Sequence, residues 1–537
     1  MKKTLLFAAT ALAMLASCSQ SDDLNNAPVV AETNQAVEFG TYVGKTPVTR
    51  AGWAGDITDT ELKDGKSGPK TQGFGVFAYY TGTNTYEQKN GTSNTLAPNF
   101  MYNEQVYYDG GWKYDNTKYW PNEIQDGTGT VDVPGAKTDH ANGGKVSFFA
   151  YAPYVSEETV WASETSGIKN MSANNAAGDP TLTYTFAKTG KNVDLLWGTF
   201  GSTSADVLGT TLNAGVLSSA TTVYPRPITD RATVGWQKDI LSDVATTPTK
   251  YRMNADLVKQ EVDGKVDFAF KHALSKVGGG HDHHDASGDA GLMIVLDADD
   301  DAAANAANNT VITVEDIKIT TVPMQYVGND GTTKTGYING GTFNLATGKW
   351  SVDATETTTR NDANAVVHEL DRTGTDKSGI LNPDIVEPAS VLTFNHAGGD
   401  DTNLNGTIHG VTGTAKNVYG SETSPMLFIP GTKPKFEVEI TYYVRSFDSK
   451  LANTTPGATK TGETGTWTNV KQVIKKQVEF AKYTELNKRY TLLIHLGITS
   501  VKFTAAVSDW EDNNVAIDTD GDSNGDSNKV DLPLNVD

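Results

Sequence analysis

The residues best suited to metal chemistry lie in one short segment, His281-Asp282-His283-His284-Asp285. Imidazole and carboxylate groups at such close spacing can hold zinc or a similar ion. Gly278–Gly280 precede the cluster and Ser287-Gly288 follow it, which indicates a loop between two strands. Flexible histidine-rich loops bind metal weakly without an evolved role. We therefore favour a solvated loop and keep His281, His283 and His284 as weak ligand candidates.

A second candidate metal site is the acidic segment Asp520–Asp531. Its oxygen-bearing residues fall at positions 1, 3, 5, 9 and 12, with Gly525 at position 6, which is the spacing of a calcium loop. Asp531 replaces the usual glutamate, and the sequence predicts no helix on either side. We favour a soluble acidic linker. The weak ligand candidates are Asp520, Asp522, Asn524 and Asp531.

No sequence motif of enzyme catalysis occurs in the structural context that it needs. We find no glycine-rich phosphate loop between a strand and a helix and no H-E-x-x-H, and the one G-x-S-x-G match, Gly521–Gly525, lies in the acidic segment where the sequence predicts no helix. The remaining histidines and carboxylates are scattered along the chain. We predict that the protein is not an enzyme and carries no cofactor, so a secreted β-sandwich hydrolase is the least favoured function.

Cys18, the only cysteine, has the context of a lipidation site. Lys2 and Lys3 precede an apolar run, Leu5–Ala16, and small residues lead up to the cysteine, as in a lipoprotein export signal. Residues 1–17 are therefore predicted to be a signal peptide. No other apolar run approaches the roughly 20 residues of a transmembrane helix. We expect attachment to a membrane through lipid on Cys18, without a membrane span.

Arg50 is a candidate site of proteolytic processing. It stands among small residues, Thr49-Arg50-Ala51-Gly52, where an arginine-directed protease could reach the Arg50–Ala51 bond. An ordinary surface arginine is the alternative. Just before it, Val37, Phe39, Thr41 and Val43 alternate with other residues, which predicts a strand with one buried face. We assign residues 18–50 to a tether and a removable N-terminal strand.

The body of the chain is predicted to be all-β. Short alternating or continuous apolar runs recur between turns rich in Gly, Asn and Asp, and no repeat of fixed period is visible. Residues 99–115 predict a hairpin that turns at Asp109-Gly110-Gly111. The length suggests two domains. We expect two Greek-key β-sandwiches in series, residues 51–258 and 259–537, with a boundary near 360–385 left open.

The charge of the chain limits its partners. With 44 basic and 65 acidic residues, the formal net charge is −21. Such an acidic surface argues against nucleic acid and against anionic membrane surfaces as partners.

The C-terminal segment predicts another strand with one apolar face. Val530, Leu532, Leu534 and Val536 alternate with polar residues or proline. This strand could fold onto its own domain, or it could insert into the sheet of a neighbouring subunit. A removable N-terminal strand and a tethered C-terminal strand could fill the same groove in turn, because removal of the first would leave unpaired backbone groups and an apolar slot.

In this order the motifs resemble the fimbrillin family of Bacteroidetes cell-surface pilins. The resemblance rests on the lipobox ending at Cys18, on the terminal strand, and on AVEFGTYVGKTPVTRAG, GFGVFAYY, KYWPN, KVSFFAYAPY, FKHALSKV and LNKRYTLLIHLGITSVKFTAAVSDWE. It implies two transthyretin-like β-sandwich domains and lipoprotein export to the outer membrane. It also implies removal of the first strand by an arginine-specific protease, and polymerisation with other fimbrial subunits by strand exchange.

Carried over to this sequence, the resemblance makes Cys18 the lipidation site and the Arg50–Ala51 bond the processing site. The segment Val530 to Val536 becomes the donor strand. The long acidic insert between Trp510 and Asn528 departs from the family pattern. It could mean a different reach of the donor strand, or a tip or accessory subunit in place of a stalk subunit. The favoured function is thus a structural fimbrial subunit that supports adhesion. The alternative is a monomeric surface lipoprotein that binds a glycan or protein ligand.

Overall fold

The fold is given by a computed structural model that describes part of the chain. The described residues are 35–43, 62–63, 73–82, 84–91, 94–121, 144–156, 167–188, 192–200, 253–257, 264–277, 292–296, 310–369, 393–395, 408–409, 416–417, 426–448, 466–496, 501–509, 530–532 and 534–536.

Strands make up most of these residues. Those before residue 273 are β1 (Glu38–Val43), β2 (Phe74–Gly82), β3 (Met101–Tyr108), β4 (Trp112–Lys113), β5 (Lys145–Ala152), β6 (Gly167–Met171), β7 (Thr181–Thr185), β8 (Leu196–Phe200), β9 (Asn254–Leu257) and β10 (Lys265–His272). Next come β11 (Ser275–Val277), β12 (Leu292–Leu296), β13 (Thr310–Thr321), β14 (Met324–Val327), β15 (Thr333–Asn344), β16 (Lys349–Glu356), β17 (Val367–Glu369), β18 (Thr393–Asn395) and β19 (Ile408–His409). The last are β20 (Lys416–Asn417), β21 (Met426–Phe428), β22 (Thr432–Lys433), β23 (Lys435–Asp448), β24 (Thr466–Phe480), β25 (Lys488–Leu496), β26 (Val501–Asp509), β27 (Val530–Leu532) and β28 (Leu534–Val536).

Helical structure in the described part is limited to short turns such as Glu87–Gly91 and Asp362–Asn364. Within the same residues, no helix has the length and apolar character needed to cross a bilayer. The predicted all-β fold class is confirmed. The Greek-key connection of the strands stays a prediction.

The first sheet runs in the order β1-β10-β8-β5-β2-β3-β4, with β9 paired to β5. Its central strands are buried on both faces. In β5, Val146 and Phe148 belong to the core on one face, and Phe149 and Tyr151 belong to the core on the other. Burial on both faces explains why the sequence of this strand is a nearly continuous apolar run.

The second sheet joins distant parts of the chain. It runs β22-β14-β15-β7-β6, with β16 paired to β15, so β7 at residues 181–185 pairs with β15 at residues 333–344. Likewise β10, which follows residue 258, pairs with β8 in the first sheet. Strands on the two sides of the predicted domain boundary, residues 258/259, are therefore hydrogen-bonded to each other. The division of the chain into two folding domains stays a prediction.

The third and fourth sheets share one core. The third runs β20-β12-β25-β11-β21, with β26 on β25 and β27 on β26. The fourth runs β19-β18-β13-β23-β24-β28, with β17 on β13. Tyr490 of β25 packs against Phe480 of β24 with ring centroids 5.4 Å apart, which joins the two sheets through their apolar faces.

Candidate strand-exchange slot

The N-terminal strand lies in a groove that we call the β1 slot. One wall is β10, which pairs with β1 in parallel from Glu38↔Lys265 to Val43↔Phe270. The other wall is the segment Lys118–Trp120. The amide of Val37 donates to the carbonyl of Lys118 at 2.9 Å, and the amide of Trp120 donates to the carbonyl of Gln35 at 3.0 Å. Residues 35–43 thus form backbone contacts with both walls.

The floor of the β1 slot is aromatic. Val37 and Phe39 are 1% and 5% exposed, as the alternation in the sequence predicts. The ring of Phe39 has its centroid between 5.4 and 6.2 Å from four other rings, those of Phe74, Tyr114, Phe148 and Phe268. Burial of one phenylalanine side chain stabilises the folded state by about 1.5 to 3 kcal/mol. Phe39 is therefore the main apolar anchor of β1.

Gly264 closes the end of the β1 slot. Its carbonyl accepts from the amide of Glu38 at 3.1 Å and from Nε1 of Trp120 at 2.8 Å. The backbone of Gly264 has φ of +79°, and a Cβ there would lie 1.9 Å from Nε2 of Gln35. The left-handed conformation favours glycine, and the side chain of Gln35 would have to move to make room for a Cβ.

Tyr114 connects the strand in the β1 slot to one wall, the segment Lys118–Trp120. Its hydroxyl donates to the carbonyl of Val37 at 2.8 Å, and the amide of Lys118 donates to the same hydroxyl at 3.2 Å. Burial, the largest cause, raises the pKa of Tyr114. The phenol therefore stays protonated and remains a hydrogen-bond donor to β1 across the physiological pH range.

The outer face of β1 is closely covered at Gly40. Lys265 and Asp267 of β10 form an ion pair of 3.1 Å, and a Cβ on Gly40 would lie 1.9 Å from Oδ1 of Asp267. Glycine lets this ion pair lie against the backbone of β1.

The C-terminal residues form two short strands within their own chain. β27 pairs with β26 through Val530↔Val507 and Leu532↔Ala505. β28 pairs with β24 through Leu534↔Phe480 and Val536↔Val478. Both lie at the ends of their sheets, so the segment Val530–Val536 passes from the third sheet to the fourth. Only three residues of each strand are paired.

Most of the other predicted site residues lie outside the described part of the chain. These are Cys18, Arg50, Ala51, His281, His283, His284, Asp520, Asp522 and Asn524. Of the calcium-loop candidates, Asp531 alone is described, in β27, where its backbone is paired with Ala506. Among the described residues, no group of three or more His, Cys, Asp and Glu is placed to hold a metal ion. The lipidation, processing and metal sites therefore stay predictions.

The walls of the β1 slot were missed by sequence reasoning. Alternation identified β1 and β10 as strands, but it could not show that they pair, because they are more than 200 residues apart. The sequence signals that could have helped are the matching apolar faces of the two strands and Gly264 directly before β10. Nothing in the sequence marked the hydroxyl of Tyr114 as a contact of Val37.

A comparison with known proteins finds a relative that is a fimbrium subunit. Over 171 residues the chain is 31% identical to Fimbrium subunit Fim1C of Phocaeicola vulgatus, a match that covers 32% of this chain. The match spans 35% of the length of that relative. No protein-family model matches the chain. The relative confirms the resemblance to fimbrial proteins that the sequence motifs predicted.

A solved structure is also similar. The crystal structure of a fimbrial protein from Bacteroides vulgatus ATCC 8482 aligns with 89% of this chain and 100% of its own, at 18% identity and a TM-score of 0.48.

Proposed function

We propose that this chain is a structural, non-enzymatic subunit of a surface fimbria that supports adhesion. In this proposal it is exported as a lipoprotein through Cys18 and is cut after Arg50. It then polymerises when the segment Val530 to Val536 of one subunit enters the β1 slot of the next. The cell outer membrane, an arginine-specific protease and other fimbrial subunits are its partners.

The observation that carries the proposal is the position of β1. Residues 35–43 fill a groove with two backbone walls and an aromatic floor, and they precede Arg50 in the chain. A cut after Arg50 would leave β1 held by non-covalent contacts alone. Its loss would expose the edge of β10 and the apolar floor, which is the condition for strand addition from a neighbour.

The similarity to a fimbrium subunit supports the same function over the matched 171 residues. The alternating Val530, Leu532, Leu534 and Val536 supply an apolar face of the kind that the β1 slot now buries. The paired strands β27 and β28 would have to leave their own sheets to act as a donor, and their short pairing favours such release.

Mass spectrometry of the mature surface protein, with a multimer ladder run beside it, tests the proposal. The arms are the wild type, Arg50→Gln, and Lys45→Gln as a control for loss of a nearby positive charge. We expect an N-terminus at Ala51 and multimers for the wild type and for Lys45→Gln. We expect uncut monomers for Arg50→Gln. An intact wild-type monomer acylated on Cys18 would overturn polymerisation and favour a lipoprotein that binds a glycan or protein ligand.

A further inference from the structure

A buried polar atom of β1 lacks a partner. Oγ1 of Thr41 is inaccessible to solvent and has no hydrogen-bond partner among the described residues. Buried hydroxyls elsewhere in the first sheet are satisfied. The hydroxyl of Thr199 donates to the carbonyl of Ala269 at 2.7 Å, and that of Thr81 donates to the carbonyl of Asn84 at 2.7 Å. Thr41 is therefore an exception within its own sheet.

Such a group weakens the strand that carries it. A hydroxyl loses its bonds to water when it is buried, and without a new partner this loss is not offset. If β1 left the slot, the hydroxyl of Thr41 would regain water. The unpaired group thus favours release of β1, whereas Val37 and Phe39 oppose it.

We propose that Thr41 is a built-in mismatch that makes β1 a replaceable occupant of its slot. The occupant that it favours is the C-terminal strand of a second copy of this chain. The inference rests on the proposed function, since it names the residue that sets the rate and direction of strand exchange.

The sequence of the C-terminal strand supports this choice of occupant. Val37, Phe39, Thr41 and Val43 stand at alternate positions of the N-terminal segment, and Val530, Leu532, Leu534 and Val536 have the same spacing. If the incoming strand runs parallel to β10, with Val530 in the place of Val37, Leu534 replaces Thr41. If it runs antiparallel over the same positions, Leu532 replaces Thr41. In either direction a leucine takes the place of the unpaired hydroxyl.

Hydrogen–deuterium exchange on the full chain tests the role of Thr41 without any cleavage. Thr41→Val keeps the shape of the side chain and removes the hydroxyl. We expect backbone amide exchange of residues 38–43 to slow by about tenfold. A tenfold change corresponds to about 1.4 kcal/mol, which lies within the free-energy cost of leaving a buried polar group without a hydrogen bond. Thr41→Ser retains the hydroxyl and should show no slowing. Exchange in Thr41→Val that is unchanged or faster would overturn the proposal.

Thr199→Val is the matched control for the substitution itself. It removes a hydroxyl that donates to Ala269, so the carbonyl of Ala269 loses this bond. We expect faster exchange in β8 and β10 for this variant, the opposite sign to Thr41→Val. Slower exchange in both variants would mean that valine stabilises this sheet generally, and the specific role of Thr41 would be rejected.

A second experiment measures strand replacement. Wild-type and Thr41→Val proteins are cut with an arginine-specific protease, and cleavage after Arg50 is verified by mass. A synthetic peptide of residues 528–537 is then added, and its uptake and the release of the N-terminal fragment are followed. We expect both rates to be about tenfold lower for Thr41→Val. Equal rates would overturn the role of Thr41. A wild-type protein that never takes up the peptide would instead overturn strand exchange, and amide exchange would still decide whether Thr41 destabilises β1.

Discussion

The rings of Phe39 and Phe268 lie with their centroids 6.1 Å apart and their planes at 20° to each other. Phe39 belongs to β1 and Phe268 to β10, so this contact joins the two strands within the apolar core on one face of the first sheet. Phe39 precedes Arg50 in the chain and Phe268 follows it. If the chain is cut after Arg50, the contact becomes one between two separate polypeptides.

Replacement of Phe39 by alanine should test how strongly β1 holds the N-terminal sheet together. The side chain is 5% exposed and lies among four aromatic rings, so its loss leaves a cavity. We expect Phe39→Ala to lower the free energy of unfolding by about 3 to 5 kcal/mol, measured by urea denaturation. Glu38→Ala, at an exposed position of the same strand, is the control. Equal effects of the two variants would show that the aromatic contact does not anchor β1.

Loss of the Tyr114 hydroxyl should loosen β1 with little change elsewhere. Tyr114→Phe removes the donor to the carbonyl of Val37 and keeps the ring that packs on Phe39. We expect a loss of about 1 kcal/mol and faster amide exchange at residues 35–39. The same change at Tyr119, which is 51% exposed, should have no effect. Unchanged exchange in Tyr114→Phe would show that this bond does not hold the strand.

Local patterns were sufficient to predict many of the strands. The hairpin expected at Asp109-Gly110-Gly111 is present, with β3 paired to β4 and the amide of Asp109 donating to the carbonyl of Gly111. Alternation placed Val37 and Phe39 on one buried face, and both are buried. These features depend on residues close together in sequence, where turn chemistry and the period of a strand determine the outcome.

Pairing between distant strands could not be predicted in the same way. β7 pairs with β15 through Leu182↔Phe343 and neighbouring residues, across the division expected at residue 258. A strand with apolar residues can pair with any strand of complementary face, and alternation does not distinguish among them. For the same reason, alternation did not show that the C-terminal segment pairs with two different strands. A single alternating run became β27 and β28, which pair in different sheets.

The passage of the chain from the first sheet to the third should depend on a buried hydrogen bond between His272 and Asp194. Nδ1 of His272 and Oδ2 of Asp194 are 2.6 Å apart, and their side chains are 6% and 1% exposed. Asp194→Ala removes the partner of a buried imidazole and an acceptor for the amide of Leu195. We expect a loss of about 1 to 3 kcal/mol or more in urea denaturation.

Asp353→Ala, at an exposed position of β16, is the control for loss of an aspartate. It should change the free energy of unfolding by no more than about 0.5 kcal/mol. A similarly small effect for Asp194→Ala would mean that the pair with His272 contributes little to the junction.

Metal removal should leave the protein unchanged, because both candidate metal segments are predicted to be solvated loops. We expect the melting temperature and the multimer ladder to be the same in EDTA, in zinc and in calcium. A ligand that binds the folded state alone would raise the melting temperature as its concentration exceeds its dissociation constant. A zinc-dependent rise that is lost in the triple variant His281→Ala, His283→Ala, His284→Ala would contradict the prediction. A calcium-dependent rise lost in Asp520→Ala, Asp522→Ala would do so for the second segment.

Deletion of residues 528–537 should separate folding from assembly. β24 keeps its long pairing with β23, and β26 keeps its pairing with β25, so the C-terminal sandwich loses only two three-residue edge strands. We expect a folded monomer with somewhat lower stability in urea and no multimer ladder, because the donor strand is missing. Leu532→Asp, Leu534→Asp should also abolish the ladder, since charged side chains cannot enter an aromatic slot without a large desolvation cost. Asp531→Ala, Asn535→Ala changes the alternate positions of the same segment and should leave the ladder intact. Multimers that persist after the deletion would show that the C-terminal segment is not the donor and that another part of the chain drives assembly.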